Sequence, residues 1–508
     1  MVLRKVVPTL SIAAVAAAGA LAVPAAAPSA TAVADQSQLW GSIASYADPG
    51  DATSGRGNSR RPNVLLFTTD DMSVGDIAHM PRTKRLLQRQ GTTFTQAVAP
   101  SPICVPARAS LLTGQYAHNH GALTISGAHG GAKSFNDRDT LPVWLKDAGY
   151  DTAILGKYLN GYEHTSPRYI APGWTNWSVA NRRVYSYGKV RYNLNGRMFA
   201  PRKAYSTDTI SALTNSWLKR KARRRKPWFT WVNYVGPHHG GRKQSDDPSA
   251  RWPRRKSVHL PTTTPAPRDR NRFRKLRLPD HPEMWRGSRH TAFSGPKRGH
   301  FFKTAMREVY QQRIEALQSV DRAVGRTVAT LRRTGQLRNT YVIFTSDNGY
   351  LTGDHNREGK LVSYDRAVRI PLVMRGPGVP KRRRARTTVT NPDLGVTIAA
   401  IANADPGRDV DGRNVLPYLR GRAAKRVIPL EAYPVRGGAR RIYQGIRYGS
   451  WTYVRTRGQE DLYNRARDHG ELRDLAGLPK YKTQLNRMRR WNRIYRDCAG
   501  AECRANTR

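Results

Sequence analysis

Cysteine is scarce in this chain, with only Cys104, Cys498 and Cys503 among 508 residues. Sites that bind zinc through several cysteines need clusters of closely spaced ligands, so the sequence excludes that class of metal site. In an exported protein the close pair near the C-terminus predicts a small disulfide loop, which leaves Cys104 without a partner. Three free thiols are the alternative, and export disfavours them.

Acidic residues are also few. The chain has 36 aspartates and glutamates against 87 lysines and arginines, which gives a formal net charge of +51. So basic a chain is expected to bind polyanions, and a sulfated polysaccharide, a nucleic acid and an anionic cell envelope all qualify. A generally basic, solvated surface that holds the protein at the cell wall is the simpler interpretation. Charge alone does not distinguish between these partners. We expect no specific nucleic-acid partner.

Long apolar runs are limited to the N-terminus. Two basic residues precede an apolar run over residues 6–23, and a small-x-small cleavage site follows at 32–34. This order predicts a secretory signal peptide over residues 1–34, a secreted protein, and a flexible lead-in over 35–61. A retained anchor is the alternative, but the run is short and rich in alanine. No other segment is suited to cross a bilayer, so we expect no transmembrane anchor.

The rest of the chain has the composition of a globular protein, with 39% hydrophobic residues and enough length for a sizeable core. Apolar, β-compatible runs alternate with helical patterns, and this alternation predicts an α/β fold. The predicted strands cover 63–71, 150–156, 228–235 and 339–346, and the predicted helices cover 80–91, 138–148, 205–222 and 302–334. Several short strands over 428–457 predict a small antiparallel sheet.

We therefore divide the chain into a large α/β domain over residues 62–420 and a C-terminal antiparallel subdomain with a basic tail over 421–508. Residues 240–300 are basic, rich in proline and weakly periodic. Such a segment predicts an irregular insertion over the active-site face. It would form either a cationic funnel for an extended anionic substrate or a solvated loop.

Polar side chains stand at the ends of the first and last of these predicted strands. Asp70 and Asp71 end one strand, and Asp347 and Asn348 follow the other. In α/β sheets, ligands collect at the carboxyl ends of the strands. Adjacent carboxylates repel each other unless a cation lies between them, and hard oxygen ligands suit Ca²⁺ or Mg²⁺ better than zinc. The pattern predicts a cation site, and a solvated pair of loop acids is the alternative.

Cys104 begins a short motif of its own. Pro106 suits the first turn of a helix, and Arg108 follows one helical turn after the cysteine, on the same face. Gly114 is expected to end this helix. The N-terminus of a helix favours an anionic group. Taken alone, a buried free thiol beside a loop arginine is the simpler interpretation.

The pattern Cys-x-Pro-x-Arg followed by Leu-Thr-Gly resembles the signature of the type I sulfatases, which depend on formylglycine. The paired aspartates, a strand that ends in Gly156-Lys157, and a Pro-His at His238 match the family in order. The run Gly-Lys-Tyr-Leu-Asn is similar to N-acetylglucosamine-6-sulfatases and heparan-sulfate endosulfatases. The resemblance covers roughly residues 61–476. It implies an alkaline phosphatase-like fold, with a mixed sheet between helices and a smaller C-terminal antiparallel subdomain.

The resemblance also implies roles for single residues. Cys104 would be oxidised to formylglycine, the catalytic aldehyde, by a formylglycine-generating enzyme. Arg108 would fix the aldehyde hydrate, while the sulfate would be contacted, or the departing alcohol protonated, by Lys157, His238 and Lys360. The metal, usually calcium with Mg²⁺ as the alternative, would be held together with the residue at Cys104 by Asp70, Asp71, Asp347 and Asn348.

Two positions depart from the family pattern. Leu159 stands where many sulfatases have a histidine, and Ala107 stands where serine is usual. His118 and His120 are the histidines nearest in sequence to the cysteine motif, and we assign the missing function to neither. Pro106 and Arg108, the more demanding positions for maturation, are intact.

The predicted function is that of a secreted, calcium-dependent sulfatase acting on a sulfated sugar or polysaccharide. The substrate part of this prediction rests on the Gly-Lys-Tyr-Leu-Asn run and on the net positive charge. One alternative is a phosphonate or phosphate ester hydrolase of the same superfamily. The other is a non-catalytic, polyanion-binding wall protein on a sulfatase scaffold.

Overall fold

The computed structural model describes residues 61–164, 166–202, 204–224, 226–247, 260–287, 293–421, 425–436 and 438–505. The predicted signal peptide and lead-in lie outside the described residues, apart from Arg61. Residues 248–259 and 288–292 of the predicted insertion also lie outside them.

The main sheet has ten strands and is mixed. Its strands are β1 (Asn63–Asp70), β2 (Thr92–Val98), β3 (Asp151–Gly156), β4 (Asn176–Arg182), β5 (Arg191–Leu194), β6 (Arg197–Phe199), β7 (Trp228–Pro237), β8 (Thr340–Ser346), β11 (Leu372–Arg375) and β12 (Arg383–Thr390). Two further strands, β9 (Leu351–Thr352) and β10 (Glu358–Gly359), pair with each other in a separate hairpin. The strand order in the main sheet is β12-β2-β11-β8-β1-β7-β3-β4-β5-β6. The central strands β8, β1, β7, β3 and β4 are parallel.

Helices cover both faces of this sheet. They are α1 (Pro81–Leu86), α2 (Cys104–Thr113), α3 (Ala117–His120), α4 (Leu141–Asp147), α5 (Ser206–Ala222), α6 (His300–Arg333), α7 (Asp365–Val368), α8 (Asn391–Ala402), α9 (Lys482–Tyr495) and α10 (Ala501–Arg504). Val64 and Leu66 of β1 pack in one apolar cluster with α2, α4 and α8, while Leu65 and Phe67 pack in another with α5 and α6. Since successive residues of a strand face opposite sides, the sheet lies between two helical layers, as predicted. Within the described ranges, no helix combines the length and apolar character that crossing a membrane requires.

A second, four-stranded sheet lies near the C-terminus. It consists of β13 (Val427–Ala432), β14 (Tyr443–Tyr448), β15 (Trp451–Thr456) and β16 (Gln459–Asn464), which pair antiparallel in chain order. Leu485 and Met488 of α9 pack with Ile446 and Tyr453 of this sheet in one buried cluster. Cys498 and Cys503, in the same cluster, form a disulfide. The predicted small antiparallel sheet near the C-terminus is confirmed.

The structure also contains elements that the sequence pattern did not predict. The helix predicted over 80–91 ends at Leu86, and a short 3₁₀ turn follows it. Strands β4, β5 and β6 extend one edge of the main sheet, and β12 closes the other edge beside β2. Edge strands with one exposed, charged face lack the continuous apolar runs that mark buried strands.

The described part of the insertion contains a single turn of regular structure, the 3₁₀ helix Pro267–Asp269. Asp269 is buried, and it accepts hydrogen bonds from Ser319 Oγ at 2.9 Å and from Arg322 Nη1 at 2.8 Å. Both donors belong to α6. This part of the insertion is therefore fixed to the helical layer through a buried carboxylate.

Candidate functional site

The candidate site lies at the carboxyl ends of the central parallel strands. Asp70 is the last residue of β1, and Asp71 follows it with a positive φ of 65°. Lys157 follows β3, His238 follows β7, and Asp347 follows β8. Because these strands are parallel neighbours, their ends meet at one edge of the sheet, as the sequence predicted. The predicted site residues are buried except for Lys360, which is half-buried.

Cys104 is the first residue of α2 and points into this cluster. Its Sγ lies 3.3 Å from Asp70 Oδ1 and 3.1 Å from Lys360 Nζ. Burial, together with the Asp70 carboxylate, raises the pKa of the Cys104 thiol to about 12. An unmodified thiol at this position therefore stays protonated near neutral pH, and it is a poor nucleophile in that form.

Arg108 connects three strands of the main sheet through its guanidinium group. Its Nε donates to Asp347 Oδ2 at 2.9 Å, and its Nη1 donates to Asn233 Oδ1 at 2.9 Å and to the carbonyl of Lys157 at 3.2 Å. Only a planar group with several fixed N–H donors satisfies acceptors in these directions at once. Arg108 therefore fixes the ends of β3 and β8, and β7 at Asn233, relative to the first turns of α2.

The two lysines bind the paired aspartates. Lys157 Nζ donates to Asp70 Oδ2 at 2.6 Å, and Lys360 Nζ donates to Asp71 Oδ1. Burial opposes ionisation of the Asp70 carboxyl, but Lys157, His238 and Arg108 together hold its pKa well below the ordinary value. Burial also opposes the charge on Lys157, and Asp70 outweighs that effect and raises the pKa of the lysine. Both partners of this pair are therefore charged at neutral pH.

His238 is neutral in this arrangement. Burial lowers its pKa to about 3, against the opposing effect of Asp70 and Asp71. Its Nδ1 lies 2.7 Å from the carbonyl oxygen of His239. Since a carbonyl oxygen only accepts, Nδ1 carries the proton, and the lone pair of Nε2 faces Asp71 Oδ2 at 3.6 Å.

The donor set fits a hard metal cation. Asp71 Oδ2 and Asn348 Oδ1 are buried and have no hydrogen-bond partner among the described residues. Asp70, Asp71, Cys104 and His238 each bring one ligand atom into a group whose members lie within 4.8 Å of one another. Buried acceptors without a donor are unfavourable, and a cation coordinated by oxygens removes that penalty. Asp347 is the less available carboxylate, because its two oxygens already accept from Arg108 Nε and from the amides of Asp71 and Asn348.

Several residues that sequence reasoning missed also form the site. The Tyr185 ring stacks on His238 with centroids 4.3 Å apart, and Lys157 Nζ lies 5.0 Å from the centre of the same ring. His239 packs against His238 with centroids 4.2 Å apart. Asn233 and Tyr185 stand in no recognisable motif, whereas the His-His pair was a visible signal. Tyr185 reaches the site from the 3₁₀ helix Val184–Ser186 in the connection between β4 and β5, strands that were themselves not predicted.

The two histidines nearest the cysteine motif are engaged elsewhere. His118 Nδ1 lies 2.9 Å from Glu431 Oε1, and its Nε2 lies 2.9 Å from the carbonyl of Cys498. His120 Nε2 pairs with Ser110 Oγ at 3.1 Å. Leu159 is buried in the apolar core. None of these three side chains contacts both His238 and Lys157, whereas the ring of Tyr185 does.

The chain is similar in sequence to known proteins. A family model described as "Sulfatase" matches residues 62–404. An extracellular sulfatase SULF-1 homologue of Drosophila melanogaster is 33% identical over 387 residues, which cover 72% of this chain and 32% of the relative. The N-acetylglucosamine-6-sulfatase of Homo sapiens is 32% identical over 386 residues, which cover 72% of this chain and 65% of the relative. The chain thus spans about a third to two thirds of the length of these relatives.

The fold has also been seen in solved structures. A protein solved in complex with its substrate D-glucosamine-2-N,6-O-disulfate superposes with a TM-score of 0.71, at 19% sequence identity. The match covers 85% of this chain and 97% of that one. At this identity the likeness establishes the architecture alone.

Proposed function

The chain belongs to the sulfatase family, and from this we propose that it is a secreted enzyme that hydrolyses sulfate monoesters of a sulfated sugar or polysaccharide. The observation that carries the proposal is the position of Cys104. It lies at a helix N-terminus, in contact with Asp70 and Lys360, and Arg108 stands one turn further along the helix. The two relatives named above are a sulfatase described as extracellular and a sulfatase described by a sugar substrate, which supports both parts.

We propose that Cys104 is converted to formylglycine by a formylglycine-generating enzyme before the protein becomes active. One hydroxyl of the hydrated aldehyde attacks sulfur as the S–O bond to the alcohol breaks. Deprotonation of the other hydroxyl reforms the C=O bond and breaks the C–O bond to sulfate, which is released. The protonated, buried thiol supports this proposal, because the unmodified side chain is poorly suited to attack an anionic ester.

The chain's own residues would then bind the ester and move protons. Lys157 and Lys360 donate to Asp70 and Asp71 in this structure. They are the charged groups placed to neutralise the sulfate oxygens of a bound substrate. Arg108 would keep the nucleophile and the strand ends in register. His238 Nε2, which has a free lone pair, would take the proton of the attacking hydroxyl and pass it to the oxygen of the departing alcohol.

We propose that the cation is Ca²⁺, with Mg²⁺ as the alternative. Asp70, Asp71, Asp347 and Asn348 would hold it through oxygens, together with the modified residue at position 104. When bound, such a cation withdraws charge from the sulfate oxygens. The orphaned oxygens of Asp71 and Asn348 are the observation that supports a cation here.

The test begins with the mass of the tryptic peptide Gln90–Arg108 from protein secreted by a host that matures other sulfatases. We expect an aldehyde in place of the Cys104 thiol, and release of sulfate from an aryl sulfate. The Cys104→Ser variant is expected to lose turnover, because a serine would end as a stable sulfate ester. N-terminal sequencing of the same secreted protein is expected to begin near Asp35.

An intact thiol in such a host would contradict the proposal and favour a polyanion-binding protein. A parallel assay with an aryl phosphonate monoester separates the remaining alternative. Aldehyde-bearing protein that cleaves the phosphonate and leaves the sulfate ester intact would be a phosphonate hydrolase.

A further inference from the structure

A large cavity adjoins the candidate site. It has a volume of about 910 Å³, and both Lys157 and Tyr185 line it. Small-molecule sites commonly have volumes of about 300–1,000 Å³, so this space accommodates much more than one sulfate group. Lys157 also donates to Asp70 beside Cys104, so one side chain borders both the cavity and the reacting centre.

The charges around this cavity are nearly all of one sign. Arg183 and Lys189 come from the loop between β4 and β5, Arg242 follows β7, and Arg270 belongs to the basic insertion. All four are exposed, and none has an ion-pair partner recorded among the residues that the structure describes. Glu163 is the one acid among the lining residues.

Arginines on the α5 and α6 side of the insertion differ from these four cations in having acidic partners. Arg268 Nη2 binds Asp208 Oδ2 at 2.7 Å, and Arg326 Nη2 binds Asp208 Oδ1 at 3.1 Å. Arg322 is paired with Asp269. Acids are therefore placed beside arginines on the α5 and α6 side of the insertion, and the four cations at the cavity lack such partners.

We propose that this cavity binds a second anionic group of the substrate, carried by the sugar next to the one that bears the scissile sulfate. The inference rests on the proposed sulfatase function and extends it from the reacting group to the substrate around it. The second anion is a sulfate ester or a carboxylate, since both have oxygens that arginine and lysine bind. Tyr185 stands between the cavity and His238, so a substrate would pass its ring on the way from one to the other.

The physical basis of this selectivity is the local electrostatic potential. Four cations around one concave surface attract an anion, and the attraction weakens as salt shortens the Debye length. A neutral neighbouring sugar gains nothing from this potential. The cavity would therefore act on the Michaelis constant of substrates with a second anion, and leave the chemical step to the residues around Cys104.

The experiment uses the full secreted protein and four substrates. Three are disaccharides with the same scissile sulfate and a neighbouring sugar that is neutral, carboxylated or sulfated, and the fourth is an aryl sulfate. The variants are R183Q/K189Q and R242Q/R270Q. We expect each to raise KM about tenfold for the anionic disaccharides, which corresponds to about 1.4 kcal/mol. Turnover of the aryl sulfate and the neutral disaccharide is expected to stay within about twofold of wild type.

The matched control removes the same charge elsewhere. R487Q/R490Q lies on α9, which packs on the C-terminal sheet, and both arginines are exposed. None of the residues that line the cavity belongs to that helix or sheet. This variant is expected to keep the wild-type KM for all four substrates at fixed ionic strength.

Calorimetry with the desulfated products measures the cavity without turnover. Products that keep the second anion are expected to bind wild type more tightly than either double variant, with an affinity that falls as salt rises. Equal KM for the neutral and anionic disaccharides in wild type, or equal product affinity in wild type and variants, would overturn the inference. Absence of sulfate release from every substrate, with product affinity still dependent on these cations, would refute the proposed function and leave the anion site standing.

Discussion

At the scale of single residues, two oxygens distinguish a metal site from a self-contained cluster of ion pairs. Asp70 Oδ2 has a lysine partner, whereas Asn348 Oδ1 and Asp71 Oδ2 are buried without a donor among the described residues. An amide oxygen is not protonated near neutral pH, so only a hydrogen-bond donor or a cation can satisfy it. Asn348 is therefore the most informative position for testing the cation.

Replacing Asn348 with alanine removes the amide oxygen that we propose as a metal ligand, and it removes no charge. We expect Asn348→Ala to weaken Ca²⁺ binding by at least about tenfold, since even residues that only support metal ligands contribute 10–100-fold. Calcium titration calorimetry of the purified protein measures this directly. Asn136→Ala, at an exposed loop position, is the control and is expected to bind Ca²⁺ like wild type. Equal affinity in all three proteins would mean that Asn348 is not a ligand.

The individual site residues were predictable to different degrees. Asp70, Asp71 and Asp347 could be found because acids directly after buried strands must converge at one edge of a parallel sheet. Tyr185 could not, because its position depends on a loop whose flanking strands carry no strong local signal. Its contact with His238 bridges 53 positions of sequence, and no local pattern encodes such a distance.

At the scale of elements, α2 is the helix that presents Cys104, and Gly114 determines where it ends. Gly114 adopts a left-handed conformation with φ of 69°, and its amide closes the last turn on Ser110. A Cβ at this position would lie 2.9 Å from Val410 Cγ1. Prediction of this stop from the sequence was possible because glycine is the residue that accepts such a conformation without strain.

We expect Gly114→Ala to lower the free energy of unfolding by about 1–3 kcal/mol, from backbone strain and the contact with Val410. Denaturant titration measures the change. Gly477→Ala is the matched control, because a Cβ there meets no atom within 4 Å and its φ is not in the left-handed region. Equal destabilisation of the two variants would contradict the assignment of Gly114 as a required helix end.

The edges of the sheet were less predictable than its centre. Central strands such as β1 are apolar on both faces and stand out in the sequence. The edge strand β12 begins with two arginines, and its burial alternates along the first half of the strand. Its pairing with β2 is determined by tertiary contacts rather than by the local sequence.

The short helix α3 is joined to β13 by a buried ion pair between His118 and Glu431. Burial opposes both charges, but the pairing raises the pKa of His118 above 6.5 and lowers that of Glu431 from 4.5 to about 2. The histidine contribution is complete below pH 6.5 and is lost as pH rises through its raised value. The glutamate contribution is complete above pH 4.5 and is lost as pH falls towards about 2. The pair therefore stabilises most between about pH 4.5 and 6.5.

We expect His118→Gln to lower the free energy of unfolding by about 1–3 kcal/mol at pH 5.5, and by less at pH 9 or pH 3. Unfolding curves at the three pH values provide the test. The control is His164→Gln, because the His164 side chain is 73% exposed. A difference between wild type and His118→Gln that does not change with pH would show that packing, rather than charge, accounts for the effect.

At the scale of the whole molecule, polar contacts connect the C-terminal sheet and the segment after it to the large α/β part of the chain. The amide of Glu431 donates to the carbonyl of Pro100 at 3.1 Å, just before the cysteine motif. Arg447 Nη1 donates to Asp365 Oδ1 at 2.8 Å, and Glu471 Oε2 accepts from the amide of Asp365 at 2.7 Å. These contacts cross the predicted boundary at residue 420, and the division into two domains stays a prediction. We propose that the two parts support one site.

The net charge of +51 leads to a prediction for the molecule as a whole. Loss of the leader predicted over residues 1–34 removes two of these charges, which still leaves a strongly cationic protein. We expect the secreted protein to bind immobilised dextran sulfate at about 0.1 M salt and to elute by about 1 M, because the Debye length falls from about 10 Å to about 3 Å. Neutral dextran is the matrix control and is expected to retain nothing.

Variants separate this general attraction from the cavity. Cys104→Ser is expected to elute with wild type, since turnover plays no part in retention. R242Q/R270Q removes only two of about fifty net charges, so its elution is expected to move little, while its KM for an anionic disaccharide rises about tenfold. Parallel losses of retention and of KM discrimination would show instead that substrate affinity follows total charge, and that the cavity adds no selectivity of its own.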